Sequence, residues 1–376
     1  LPAVEYPKFR KPILLSANTI NQREALRPLI EHFQDRLEII TERTELFLEF
    51  EGAIILHSMP TKEQVEALAL NSSSSLLAGF FTLRGFIRNA FLRRFYNIFK
   101  PFGQYHFLHK AFEKSPRPKL YIASNDHSGL SQVGFLVANE LRISTLYLQH
   151  ASVSEKFPPL SVTYALLEGQ DAAEKYAAAG HSHTQVTLVG TMKYDNYLNK
   201  ALSEPIPNQV GVAIGPAFVD YDAVYSLCRS LDHQNMQFTV RFHPGVADQI
   251  KNPFLDQKWE QSNPNYESAL DFIMRCGTII SGDSNILLET IALNRRPIYF
   301  ASTGESIDYY GFCKNGIVEP ARLTSNEVLI ALREPYDPRT FRPKAERYIA
   351  FLNGREADQA GRRVIDKVEG LLNQLS

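Results

Sequence analysis

Short runs of aliphatic and β-branched residues alternate with stretches of helical periodicity along the chain, the pattern of parallel sheets covered by helices on both faces. In the first half, residues 12–16 read as a strand, Gln22 to Phe33 as a helix, and 37–40 and 52–56 as two further strands. Clearer strands follow at 119–123, 145–148, 162–167 and 185–189. They run into Asn125-Asp126-His127, Gln149-His150, Glu168-Gly169 and Gly190, respectively. In open α/β sheets ligands lie beyond the carboxyl ends of strands, so a site is expected at these four junctions.

From Asn196 to Asn208 the strand pattern lapses and Pro205 and Pro207 intervene, which predicts an interdomain linker. A second unit then begins with a strand and turn at 210–215, a helix from Tyr221 to Leu231 and a strand at 237–242 that ends in His243-Pro244-Gly245. A strand at 278–280, the turn Ser281-Gly282-Asp283-Ser284-Asn285, a helix over 286–293 and a strand at 297–300 complete a β-turn-α-β unit. The stretch Glu356 to Leu375 is helical and is expected to cross back to the first half. The predicted architecture is α/β, with two Rossmann-like domains facing across a cleft. Residues 1–200 and 209–350 would form the two domains, and 351–376 the crossing helix.

A length of 376 residues suits two domains of roughly 100–200 residues each. With 44% hydrophobic and 22% charged residues and a net charge of -1, the chain is neither disordered nor a coat for nucleic acid. Its three cysteines, Cys228, Cys276 and Cys313, are far apart and form no CxxC pair, so neither a disulfide framework nor a zinc site is indicated. The sequence contains no HxxxH-type spacing, and no metal or other cofactor is expected. No apolar run approaches the roughly 18–20 residues of a membrane span, and the first residues do not read as a secretory signal. A cytoplasmic location is expected, and the start at Leu1-Pro2 without an initiator Met is expected of an excised or truncated chain.

The turn at 281–285 precedes a helix, where backbone N–H groups and the positive end of the helix dipole favour an anion. Gly282 would admit a close approach, and Ser284 or Asn285 would cap the helix, as these residue types commonly do. The preceding motif, Arg241-Phe242-His243-Pro244-Gly245, ends the neighbouring strand about 40 residues earlier. Proline holds its predecessor out of helical geometry, so His243 is expected to project into a cleft. Protonated, it would neutralise charge on a departing phosphate or donate a proton to it.

These pieces, with Tyr147-Leu148-Gln149-His150, the run from Leu188 to Asp195, and Glu289, resemble GT-B glycosyltransferases of bacterial surface polysaccharide synthesis. The resemblance covers most of residues 119–300. The His-Pro and serine motifs are similar to the donor motifs of bacterial sialyltransferases and of enzymes that use CMP-activated 3-deoxy-D-manno-oct-2-ulosonic acid (Kdo). CDP-glycerol polymerases of teichoic acid synthesis are similar at the same places. The resemblance implies that His243 and Ser284 contact the donor phosphate and that Ser281, Gly282 and Asn285 line the nucleotide site. Arg241, Pro244 and Gly245 belong to the same donor motif. Glu289 would bind a ribose hydroxyl or, structurally, pair with Arg295 or Arg296. The acidic-acidic-glycine motif of polysialyltransferases is not found, and Gln149-His150 leads into Ala151-Ser152-Val153 where the glycerol polymerases carry a histidine-glycine-threonine-proline loop. Transfer of Kdo from CMP-Kdo to a lipopolysaccharide or capsule glycan is the resulting expectation.

Asp126 is the expected catalytic carboxylate, serving as base or nucleophile, unless it caps the following helix. Glu168 is the second candidate, with His150 orienting an acceptor or the ulosonate carboxylate; His127 is read equally as a loop residue. Between Phe80 and Phe112 lie nine phenylalanines, six basic residues (Arg84, Arg88, Arg93, Arg94, Lys100, Lys110) and no acidic residue. Such a segment suits the inner face of the cytoplasmic membrane and a lipid-linked acceptor, whereas Phe91, Phe95 and Phe99 have the spacing of a packed helix. Transfer of glycerol phosphate or another sugar, nucleotide-sugar epimerisation and a non-catalytic membrane-docking subunit are the competing readings; a nucleic-acid partner is not expected.

Overall fold

Strands buried on both faces need apolar residues at every position, and Ile13-Leu14-Leu15 at the centre of the first sheet meets that demand with no more than 1% exposure. Leu14, with Ile40 and Tyr121, faces one helical layer, while Ile13, Leu15 and Ile39 face the other. The computed structural model describes residues 4–71, 95–114, 116–126 and 129–375.

The first sheet has seven parallel strands: β1 (Ile13–Ser16), β2 (Leu37–Thr41), β3 (Ile55–Ser58), β4 (Leu120–Ala123), β5 (Ser144–Leu148), β6 (Tyr164–Leu167) and β7 (Gln185–Leu188), in the order β3-β2-β1-β4-β5-β6-β7. The second has five parallel strands: β8 (Val210–Ile214), β9 (Phe238–Phe242), β10 (Glu260–Ser262), β11 (Thr278–Ser281) and β12 (Arg296–Tyr299), in the order β10-β9-β8-β11-β12. Strand order reverses between β1 and β4 and again between β8 and β11, which opens a crevice at the carboxyl end of each pair.

Three sequence expectations need correction. The strand expected at 52–56 begins at Ile55, because Gly52 takes φ +84° and the chain turns there. The segment 196–208 is helical over Asp195–Ser203, and this helix buries Leu198 and Ala201 among Phe272, Ile273 and Leu287 of the second domain. Strand β10 was not anticipated, since Glu260-Gln261-Ser262 is a polar edge strand without an apolar signal.

Phe99, Phe107 and Phe112 of the helix Phe95–Lys114 are buried, and Lys100 pairs with Glu42 at 2.8 Å. These aromatics belong to the protein core. Phe91, Arg84, Arg88, Arg93 and Arg94 lie outside the described residues, as does the side chain of Phe95. No helix among the described residues is long and apolar enough to cross a membrane.

The chain passes between the domains twice. The first passage is the turn Met192–Tyr194 and the helix Asp195–Ser203. On the second, Tyr348, Ile349 and Leu352 sit in the core of the second domain, whereas Val364, Val368, Leu371 and Leu372 of the helix Ala360–Gln374 pack into the first. Asp195 ties the passages together by accepting the N–H groups of Ala360 at 3.1 Å and Gly361 at 2.7 Å, where a carboxylate also complements the helix dipole.

Between these anchors the backbone of Arg347–Ala350 presses against the ends of β6 and β7. Arg347 O accepts from Asp171 N–H at 2.9 Å, and Ala350 N–H donates to Glu168 O at 2.7 Å. A Cβ on Gly169 would lie 2.4 Å from Tyr348 O; one on Gly190, whose φ is +77°, would lie 2.8 Å from Ala350 O. Gly169→Ala is therefore expected to lower unfolding stability by about 1–3 kcal/mol, the usual cost of overpacking. Gly370→Ala, on the last helix with nothing within 4 Å of its Cβ, should raise it by about 0.4–1 kcal/mol. Urea unfolding of both variants checks this pair of opposite signs.

Candidate functional site

At the β8/β11 crevice, Ser281 is buried and its Oγ donates to Ala213 O at 2.9 Å, locking the two strands together just before the turn. Asp283 accepts from Tyr299 Oη at 3.0 Å and from Tyr309 N–H at 2.9 Å, and burial raises its pKa. A Cβ on Gly282 would meet nothing nearer than 3.8 Å, so the turn leaves room toward a crevice walled by Ile214, Val219, Phe300 and Ser302. Ser284 Oγ stands 3.5 Å from Ile286 N, at the limit of a capping bond. Asn285 makes no side-chain cap at all.

His243 follows β9 and is exposed, with Pro244 and Gly245 exposed beside it. Gly245 N–H donates to His243 Nδ1 at 3.0 Å, which puts the proton of the neutral ring on Nε2. Desolvation and the neighbouring Arg241 push its pKa below the ordinary value. Arg241 is buried. Its Nη1 donates to Ser262 Oγ at 2.6 Å, and its guanidinium lies over the Phe272 ring.

Across from the turn, the ends of β5, β6 and β7 form a second crevice, lined by Gln149, His150, Glu168, Thr191 and Lys193. Glu168 is only 4% exposed, and among the described residues no cation pairs with it at contact distance. Its own N–H donates to Gln149 Oε1 at 2.8 Å, and Gln149 Nε2 lies 3.5 Å from Glu168 Oε2. Burial raises its carboxyl pKa to about 7, against the opposing pull of Lys193.

Lys193 Nζ donates to Glu289 Oε1 at 2.6 Å, joining the first interdomain passage to the helix Ile286–Ala292. Glu289 pairs with neither Arg295 nor Arg296, contrary to one sequence reading. Arg295 donates to main-chain carbonyls, and Arg296 pairs with Glu319 at 3.4 Å. Asn285 extends the same cluster: its Oδ1 accepts from Ser152 N–H at 3.1 Å and Ser152 Oγ at 2.6 Å, and its Nδ2 donates to Glu289 Oε1 at 3.3 Å. A continuous chain of polar contacts thus runs from Ser152 of the first domain through Asn285 and Glu289 to Lys193.

Glu168, His150, Asn285 and Glu289 are brought to one region, whereas Asp126 is not among the residues lining it. The Asp126 carboxylate accepts a hydrogen bond from Tyr176, whose ring meets that of Tyr147 edge-on. His127 lies outside the described residues. Sequence reasoning gave no role to Lys193 or Ser152, because their importance depends on contacts 96 and 133 residues away. Among the described residues no group of three or more His, Cys, Asp or Glu side chains is arranged to hold a metal ion.

No family model and no curated protein matches the sequence. Solved structures do match in fold. The UDP-GlcNAc 2-epimerase from Neisseria meningitidis bound to UDP-GlcNAc is similar with a TM-score of 0.58 at 12% identity, over 95% of this chain and 99% of that one. The calicheamicin glycosyltransferase CalG4 is similar with a TM-score of 0.60 at 10% identity, over 98% and 100%. The wall teichoic acid polymerase TagF gives 0.57 at 9% identity, over 97% and 90%. The two parallel-sheet domains are those of the GT-B fold.

A buried carboxyl with a raised pKa makes stability depend on pH. Between its ordinary value of 4.5 and about 7, the folded state holds a proton that the unfolded chain has released. The stabilisation is complete below pH 4.5 and is lost as pH rises through 7, amounting to about 3 kcal/mol at about 1.4 kcal/mol per pH unit. Glu168→Gln removes this dependence. Its unfolding stability relative to the unsubstituted protein should therefore increase steadily from pH 5 to pH 7.5 in parallel urea titrations.

Proposed function

We propose that this protein is a nucleotide-sugar-dependent glycosyltransferase that binds its donor on the second domain and its acceptor at the β5–β7 edge of the first. The observation that carries the reading is Glu168, a buried carboxyl with a pKa of about 7, facing the donor turn through one polar cluster. A general base works best with a pKa near the operating pH. Glu168 takes the proton of the acceptor hydroxyl as the acceptor oxygen bonds to the anomeric carbon and the bond to the phosphate oxygen breaks. The nucleotide leaves with both bonding electrons. Positive potential at the 281–285 turn and the Nε2–H of His243 stabilise the charge on the departing phosphate. His150, beside Glu168, orients the acceptor, and closure of the domains excludes water.

Within this class, the His-Pro and serine motifs favour a CMP-activated sugar, with CMP-Kdo as donor and a bacterial surface glycan as acceptor. A lipid-linked acceptor at the inner face of the cytoplasmic membrane, met through the basic residues Arg84, Arg88, Arg93 and Arg94, completes the proposal.

A thermal-shift panel of CMP, CDP, UDP, GDP and ADP tests the donor. A nucleotide at about 100 times its Kd stabilises the fold by about 2.7 kcal/mol. Stabilisation by CMP, reduced at least tenfold in affinity by His243→Ala, is the expected result. Preference for UDP would replace the donor while keeping the reaction class, and turnover of a nucleotide sugar without any acceptor would mark an epimerase. Absence of any nucleotide effect would overturn the proposal.

A further inference from the structure

Lys193 stands on the first interdomain passage, in the turn Met192–Tyr194 that links β7 to a helix packed in the second domain. Its ammonium is 20% exposed and 2.6 Å from Glu289 Oε1 of that domain, and it lines the same crevice as Glu168 of the first. One cation therefore serves two carboxylates, one from each side of the cleft. Only Glu289 is within contact distance of it.

We infer that Lys193 is a positioning residue that couples the approach of the two domains to the proton on Glu168. With Glu289 in place, the charge of Lys193 is neutralised at contact and Glu168 keeps a high proton affinity. When Glu289 withdraws, or gives its oxygen to a donor hydroxyl, the full charge of Lys193 acts on Glu168 and favours the carboxylate. The site would thus keep Glu168 protonated while Glu289 is docked on Lys193, and convert it to the proton-accepting carboxylate when the donor or domain opening draws Glu289 away. The role of Glu168 as a base rests on the function proposed above; the charge coupling rests on the crevice that Lys193 and Glu168 share and on the contact of Lys193 with Glu289.

The groups facing Glu168 account for both signs. Burial favours its neutral form, Lys193 opposes this and Glu289 reinforces it. Tyr147 on β5 and Tyr194 beside Lys193 have pKa values raised well above the ordinary phenol, chiefly by burial, so they stay neutral. His150, Gln149 and Thr191 complete the wall. Lys193 itself loses proton affinity through desolvation, but Glu289 and then Glu168 more than restore it, and it remains an ammonium.

The test is a carboxyl-carbon NMR titration of the full chain labelled at glutamate, with the Glu168 signal assigned by its loss in Glu168→Gln. A charge at about 4–6 Å moves a carboxyl pKa by about 1–3 units. The midpoint of Glu168 should rise by about one unit or more in Lys193→Met, fall by a similar amount in Glu289→Gln, and return close to the starting value in Lys193→Arg. If Lys193→Met fails to fold because Glu289 is left buried and unpaired, the double variant Lys193→Met/Glu289→Gln removes both charges, and its midpoint should lie above that of Glu289→Gln alone. Midpoints that move in the same direction, or by less than about 0.3 units, overturn the coupling. Opposite movements in a protein that no nucleotide stabilises would leave the coupling standing and remove the donor reading. Nucleotide binding without those movements would do the reverse.

Discussion

The close approach of the Arg347–Ala350 backbone to the ends of β6 and β7 fixes the relation of one sheet to the other. Main-chain bonds from Asp171 and to Glu168 hold it there, and they form only because Gly169 and Gly190 present no side chain. The same contact that joins the domains also closes over the backbone of Glu168. The side chain of the same residue is buried in the crevice of Gln149, Thr191 and Lys193, and that burial raises its pKa.

Burying Glu168, Lys193 and Glu289 together is costly unless their charges and hydrogen bonds are matched. Glu289 satisfies this with Lys193 and Asn285. Glu168 has no contacting cation among the described residues, and its carboxyl is left with Gln149 Nε2 at 3.5 Å and the Thr191 side chain beside it. Two carboxylates around one ammonium would otherwise carry a net negative charge out of water, and the one farther from the ammonium is the one that responds by holding its proton. An inequality of this kind is what acid–base chemistry at neutral pH requires, and divergent environments for paired titratable groups commonly mark functional sites.

Much of the fold is legible in the sequence because strands buried on both faces are nearly pure aliphatic runs, as at β1, β4 and β8, and because each ends in a polar turn. What is local was readable: the turn at 281–285, the His-Pro bend after β9 and the position of Glu168 at the end of β6. The polar strand β10 was not, since edge strands carry no burial pattern. Nor was the helix Asp195–Ser203, whose Leu198 and Ala201 acquire meaning only against Phe272 and Leu287. Asp126 and Glu168 look alike in sequence, each following an apolar strand. They differ in what packs above them, Tyr176 for one and the Gln149–Lys193 crevice for the other.

The residues that resemble a donor motif have work on both sides of the cleft. Asn285 leaves its own helix uncapped and spends its oxygen on Ser152, while Glu289 is engaged by Lys193. Both crevices are far too narrow in this structure to hold a nucleotide sugar. Under the proposed function, a nucleotide sugar entering here would exchange these cross-domain bonds for its own hydroxyls and phosphates, and the domains would separate to admit it. Polar contacts suit that exchange better than apolar ones, because each bond broken inside the protein is replaced by one to the ligand, and no buried group is left unpaired at the end.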